Sequence, residues 1–182
     1  MNSYVAPLPA WIEEILADTA RPHPAEALEL SVRIAIESAR NGGGPFGALL
    51  VNQTGDIVSA GWNSVVHSQD STAHAEIDCL RRAQAQLQTH DLQSKGEFTL
   101  YSSTAPCIQC FGAIWWSGLS NVIVGASKTN AEETGFNEGP VSPMLWEAAK
   151  LEKNISYSPL VVDGLDLTEP FKEFKRLGGI LY

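Results

Sequence analysis

The sequence predicts an α/β fold: a central, mostly parallel five-stranded sheet flanked by helices. Two patterns carry this expectation. An apolar run, a Gln53-Thr54-Gly55-Asp56 turn and a second apolar run read as a hairpin. Beyond it, short β-rich runs alternate with stretches of helical periodicity, as βα units do.

The elements follow in order. Trp11 to Ala20 reads as a short helix ended by Pro22 and Pro24. Ala25 to Asn41 places Leu28, Val32, Ala35 and Ala39 near helical spacing and stops at Gly42, a second helix. Strands are expected over Phe46 to Asn52 and Ile57 to Asn63, and a loop over Val65 to Asp70. Ser71 or Thr72 is the expected N-cap of a helix from Ala73 to Gln88. Phe98 to Ser102 is a strand, and Pro106 suits the first turn of a helix from Cys107 to Ser117. The rest reads as a strand over Val122 to Gly125, a helix over Asn130 to Glu133 and a helix over Ser142 to Glu152. A strand over Ile155 to Val161 and a last helix over Asp166 to Leu177 complete the chain. Residues 1–24 are expected to form an arm and residues 25–182 one domain.

Composition narrows the function classes. Among 182 residues, 44% are hydrophobic and 18% charged, the balance of a soluble globular protein. No apolar run approaches the roughly 18 residues that a membrane span needs. Met1 to Asp18 lacks a basic start and is interrupted by Glu13, Glu14 and Asp18, so no secretory signal is expected. Net charge is -9, with 12 Lys and Arg scattered along the chain, which disfavours gripping a nucleic-acid backbone and favours a small, free substrate. Three cysteines suit a reducing cytoplasm.

Two stretches carry the chemistry: Ser71-Thr72-Ala73-His74-Ala75-Glu76-Ile77 and Pro106-Cys107-Ile108-Gln109-Cys110. His74, Cys107 and Cys110 supply three zinc ligands, the number that a catalytic site uses while keeping a fourth position for water. Cysteines three residues apart on a first helical turn share one face, and the positive helix end favours their thiolates. Glu76 is close but spare, where a general acid/base belongs. A structural zinc would need a fourth ligand from His23, His67, His90 or Cys79, none of which has motif spacing. Cys79 reads as buried packing. Gly42-Gly43-Gly44 lacks the Lys-Ser/Thr of a phosphate loop.

His-x-Glu followed by Pro-Cys-x-x-Cys is the signature of zinc deaminases of nucleobases. The sequence resembles the cytidine deaminase-like superfamily, and within it the bacterial guanine deaminases. The narrower likeness rests on Gly43 to Phe46, Asn63, Ile114-Trp115-Trp116-Ser117-Gly118, Gly135-Phe136-Asn137-Glu138 and Tyr182. It implies a three-layer α/β/α sandwich, bound zinc and a homodimer. It also implies roles: Asn63 holding the base, Phe46 and Trp116 forming aromatic walls, Phe136 stacking on or edging the ring, and Tyr182 closing the pocket. Glu138 corresponds to an acidic residue that shuttles protons at the leaving amine. Asn137 departs from the resemblance, standing where an aspartate is expected, which bears on the choice of ring.

The expected reaction is deamination of a purine-like base, guanine to xanthine and ammonia, with Glu76 moving protons and the Ala75 N–H helping to orient the ring. Alternatives are guanosine, cytosine or an aminotriazine such as ammeline on the same fold, a transfer-RNA adenosine deaminase, or a catalytically silent zinc module.

Overall fold

A computed structural model describes residues 6–182. Helices α1 (Ala10–Leu16) and α2 (Pro24–Arg40) precede the hairpin β1 (Gly47–Asn52) and β2 (Ile57–Trp62). Then come α3 (Val65–Ser68), α4 (Ala75–Leu87), a 3-10 turn (Leu92–Lys95), β3 (Phe98–Thr104) and α5 (Ile108–Ser117). The chain continues through β4 (Asn121–Ala126), α6 (Lys128–Thr134), α7 (Pro143–Lys153), β5 (Ser156–Pro159) and α8 (Glu169–Arg176).

The sheet order is β2-β1-β3-β4-β5. β1 is antiparallel to both β2 and β3, while β3, β4 and β5 are parallel neighbours. Four strands therefore run one way and β1 alone runs against them. Alternation along the strands makes the layers. Ala48, Leu50, Leu100, Val122 and Val124 face α4, α5 and α7. Leu49, Val51 and Tyr101 face α1 and α2. Ile12 and Ile15 of α1 are buried in that second cluster, so the first described helix packs on the body of the protein.

Two features seat the elements that matter for chemistry. A Cβ at Gly61 would lie 2.2 Å from the Ala75 carbonyl oxygen and 2.4 Å from the Cys79 nitrogen, so β2 lies directly against the first turns of α4. At the other end, α8 brings Phe171 and Phe174 against Phe46 and Phe136. The Phe46–Phe136 and Phe46–Phe171 rings meet edge to face at 4.9 and 5.9 Å, a geometry worth about 1 kcal/mol per pair beyond the buried area.

Several boundaries differ from the sequence expectation for identifiable reasons. Thr72 does not cap α4; its N–H and hydroxyl both bond to Asp70 Oδ1, and His74 takes the N-cap position. Cys107 likewise caps α5 rather than opening it. The loop after β2 contains the one-turn α3, too short to leave a periodic signal. Asp166 accepts from the Thr168 N–H and hydroxyl in a turn, so α8 starts later, at Glu169. No helix is long and apolar enough to cross a membrane among the described residues.

Glu173 joins α8 to α2. It accepts from Arg40 Nε at 2.6 Å and from Arg176 Nε at 2.6 Å. The hydrogen bond from Arg176, then that from Arg40, holds its carboxyl down at about 2. A depressed carboxylate stabilises the fold above its unfolded pKa of about 4.3 and loses that contribution as pH falls through the folded value. Denaturant titrations from pH 6 down to 2 should therefore show a steeper acid loss for the wild type than for Glu173→Gln. Parallel pH profiles would contradict the linkage.

Candidate active site

Two helix starts converge beside the C-terminal end of β3. His74, preceding α4, presents Nδ1 to both cysteines, at 3.4 Å from Cys107 Sγ and 3.6 Å from Cys110 Sγ. The three ligand atoms lie within 4.8 Å of one another, and no further His, Cys, Asp or Glu joins the group among the described residues. Tetrahedral zinc with usual bond lengths separates a nitrogen from a sulfur ligand by about 3.6 Å. The residues thus fit zinc in a three-ligand set, which leaves a fourth position open. His23, His67, His90 and Cys79 stand outside the group, so nothing in the described structure completes a closed, structural site. Cys79 is instead buried beside Ser59, with burial pushing its thiol up to about 12.

The electrostatics of the two thiols are opposite. Cys107 is held down at about 4, chiefly by its hydrogen bond with Cys110, with His74 assisting against burial. Cys110 is raised by burial and by the same bond. The His74 imidazolium is opposed by burial, but the hydrogen bond and charge of Cys107 outweigh this and raise its pKa. A cation would replace the protons that this cluster otherwise shares.

Glu76 follows His74 by two residues on the first turn of α4. Its carboxylate lies 3.3 Å from Ser102 Oγ, which donates from β3, and 3.3 Å from Cys110 Sγ. Burial, then the Cys107 charge, raises its pKa. Glu138 comes from the loop after α6, and is also buried. Its pKa is pushed up to about 8, first by burial and then by Cys107 and Glu76. Two carboxyl groups on one cavity, both raised by burial, suit proton transfer.

The cavity between them is about 200 Å³ and is lined by Phe46, Ser71, His74, Glu76, Cys107, Phe136, Asn137, Glu138 and Tyr182. Eight of these nine residues are candidates named from sequence; Ser71 is not, and its signal was only its place three residues before His74. Tyr182 reaches back into its own chain's cavity, its ring 5.4 Å from Phe136 and 6.3 Å from His74. A Cβ at Gly44 would stand 2.2 Å from the Tyr182 hydroxyl and 2.9 Å from Asn63 Oδ1, so those groups meet over a bare backbone. Asn63 is wholly buried; its Oδ1 accepts from the Gly44 and Val65 N–H groups, while its Nδ2 has no partner among the described residues. Ala75 is buried at the first position of α4, where backbone N–H groups have no intrahelical acceptor.

Trp116 is placed differently from the expectation. It is 76% exposed and absent from the cavity wall, with Lys153 Nζ 5.1 Å from its ring. Helical phase is the reason: Cys110, Phe111, Ile114 and Ser117 define the inward face of α5, which turns residue 116 outward. Asn137 lines the cavity yet is exposed, and its Oδ1 accepts from the Gly139 N–H at 3.1 Å, shaping the turn that presents Glu138. A larger cavity of about 580 Å³ lies between the ends of β4 and β5 and α7, and holds none of the His, Cys or Glu cluster.

The comparisons with known proteins agree with this geometry. The family description "cytidine and deoxycytidylate deaminase zinc-binding region" matches residues 23–126. Guanine deaminase from Bacillus subtilis is 40% identical over 112 residues, 61% of this chain and 69% of the relative. A transfer-RNA-specific adenosine deaminase from Buchnera aphidicola is 38% identical over 109 residues, 60% of this chain and 70% of the relative. The solved guanine deaminase of Nitrosomonas europaea superposes with a TM-score of 0.80 at 29% identity, over 97% of each chain. Another solved structure, in complex with 8-azaguanine, gives a TM-score of 0.82 at 28% identity over 97% of each chain. With its three-ligand group, paired carboxyls and five-stranded mixed sheet, the chain belongs to the cytidine and deoxycytidylate deaminase zinc-binding family and has its cytidine deaminase-like fold.

Proposed function

We propose that the protein is a zinc-dependent aminohydrolase of a free purine-like base, converting guanine and water to xanthine and ammonia. The observation that carries this reading is the pair of buried carboxyls, Glu76 and Glu138, on either side of one small cavity beside the His-Cys-Cys group. Its volume of about 200 Å³ is below the range of about 300 Å³ and upward typical of drug-sized ligands. That favours a bare heterocycle over a nucleoside or an extruded nucleotide. Guanine deaminases among its relatives support the choice, as does the solved complex with a guanine analogue.

His74, Cys107 and Cys110 would hold a zinc ion, which would supply a Lewis acid able to bring the pKa of a water to about 7 and would draw the neighbouring carboxyls back down. Glu76 takes a proton from the attacking water and delivers it to a ring nitrogen as the amine-bearing carbon becomes tetrahedral. Glu138 donates a proton to the departing amine, which leaves as ammonia, and takes the proton of the new ring hydroxyl as the carbonyl forms. The unpartnered Asn63 Nδ2 donates to an acceptor on the ring, and the Ala75 N–H assists. Phe46 and Phe136 form the aromatic wall, and Tyr182 closes the cavity against water.

A transfer-RNA adenosine deaminase is the second reading, favoured by the Buchnera aphidicola relative. The chain's net charge of -9 and the side chain of Tyr182 across the cavity stand against it. The proposed reading also includes a cytoplasmic location and pairing of two copies.

Glu76→Gln should keep its zinc, measured by metal analysis, while ammonia release falls by about 10²–10⁴-fold, the usual worth of a general acid/base. Retained turnover would remove Glu76 from the mechanism. Across guanine, guanosine, cytosine, adenine, ammeline and a tRNA anticodon stem-loop, guanine should release ammonia fastest; an inert guanine beside an active second ring would reassign the substrate. Asn137→Asp should change guanine turnover by less than about tenfold (1.4 kcal/mol), since either side chain can accept from Gly139. A larger change would show that charge at this position selects the ring.

A further inference from the structure

Asn63 is fixed through its peptide as well as through its side chain. Its N–H donates to the Phe46 carbonyl at 3.3 Å, and its carbonyl accepts from Ser38 Oγ at 3.1 Å. Ser38 lies in α2 and is buried, and its hydroxyl also reaches the Gly44 carbonyl at 2.8 Å. One hydroxyl proton is thus shared between the carbonyls of two residues that meet again at the amide, where the Gly44 N–H donates to Asn63 Oδ1 at 3.2 Å. The Ser38 carbonyl in turn accepts from the Gly43 N–H at 2.8 Å. A Cβ at Gly43 would lie 2.1 Å from the Asn63 carbonyl oxygen and 2.6 Å from Ser38 Oγ. The end of α2, the glycine turn and the end of β2 therefore touch here with no side chain but that of Ser38 between them.

The side chain follows from this hold. Oδ1 has two lone pairs, and the N–H groups of Gly44 and Val65 take both, at 3.2 and 3.3 Å. The amide cannot turn over without stranding two buried donors, which is costly. Asn63 therefore offers a ligand its Nδ2 as donor and no acceptor. Where that donor points depends on the peptide that carries it. A second cavity, of about 250 Å³, borders this peptide; Trp11, Ser38, Gly43, Trp62, Asn63 and His67 help to line it, and it shares no lining residue with the candidate site. It leaves the peptide room to draw back, and the bond from Ser38 opposes that retreat.

We propose that Ser38 is the positioning residue of Asn63: its hydroxyl holds the peptide from which the amide projects, so that the site meets a ring with one donor at one place and selects rings that bear an acceptor there. Ser38 itself touches no substrate atom. The inference rests on the proposed function only in assigning Asn63 to the ring. Ser31, the other buried serine of α2, supplies a contrast, because its hydroxyl donates at 2.7 Å to the Leu28 carbonyl within its own helix. Helix, residue type and burial are the same, and the bond to Asn63 is the difference.

Calorimetric titration with 8-azaguanine tests this, in zinc-loaded protein carrying Glu76→Gln to suppress turnover. Ser38→Ala should weaken binding about tenfold, the scale of one hydrogen bond. Asn63→Ala should weaken it at least as much, and the two together no more than Asn63→Ala alone, since both act through one group. Ser38→Cys, with its weaker donor, should fall between serine and alanine, and it carries the test should alanine fail to fold. Ser31→Ala should bind as before. Unchanged affinity in Ser38→Ala, additive losses in the pair, or an equal loss in Ser31→Ala would each overturn the proposal. With Glu76 restored, Ser38→Ala should raise KM for guanine about tenfold while kcat changes by less than about threefold, because the ring is held alike in ground and transition states. A loss confined to kcat would point to a merely structural serine and overturn the role. No binding by the starting protein, or Asn63→Ala without effect, would overturn both this role and the assignment of Asn63 to the ring. The expected binding pattern with no ammonia released from guanine by the wild type would count against the deaminase reading and leave the role of Ser38 standing.

Discussion

Two helix starts have to meet at one point, and the architecture can be traced to that requirement. His74 precedes α4, Cys107 precedes α5, and their ligand atoms must come within a few ångströms with Cys110. The sheet provides the common reference. α4 is set by its close seating on β2, where Gly61 admits no side chain, and α5 by the end of β3. Because β2 and β3 flank β1 in one hydrogen-bonded sheet, a shift of either helix would cost strand register as well as ligand geometry. The His-Cys-Cys group is thus held where two helix starts meet the sheet.

Burial then sets the chemistry. The cavity that excludes water also raises the carboxyls of Glu76 and Glu138, and two raised carboxyls facing the same thiols are destabilising for a fold without a cation. A site of this kind trades stability for protonation states that a carboxyl in water does not have. The aromatic cluster of Phe46, Phe136, Phe171 and Phe174 offsets part of that burden by closing the site from behind. Glu173, itself buried, pairs with Arg40 and holds α8, and with it Phe171 and Phe174, against α2.

Asn137 illustrates how a contact changes the meaning of a residue. Read as a missing charge, it casts doubt on the substrate; in the structure its oxygen caps a turn, a task for which the charge is immaterial. Trp116 moved in the other direction. Its neighbours in sequence belong to the core of α5, but one residue of helical rotation places it in the solvent, next to Lys153.

The sequence by itself picked out the His-Cys-Cys group, the glutamate two residues after the histidine and the class of fold. These depend on short spacings and on periodicity, and the backbone geometry of one turn or one strand is enough to read them. The inward phase of α5 was legible too, in the recurrence of Cys110, Phe111, Ile114 and Ser117. Only the tertiary structure decided that Asn63 keeps a buried, unpartnered donor and that Tyr182 returns to its own chain's cavity. It likewise showed that Glu138 lines the same cavity as Glu76. Each of these joins residues far apart along the chain. Distance, burial and unmet hydrogen bonds arise only when such segments are packed together, so no local pattern records them.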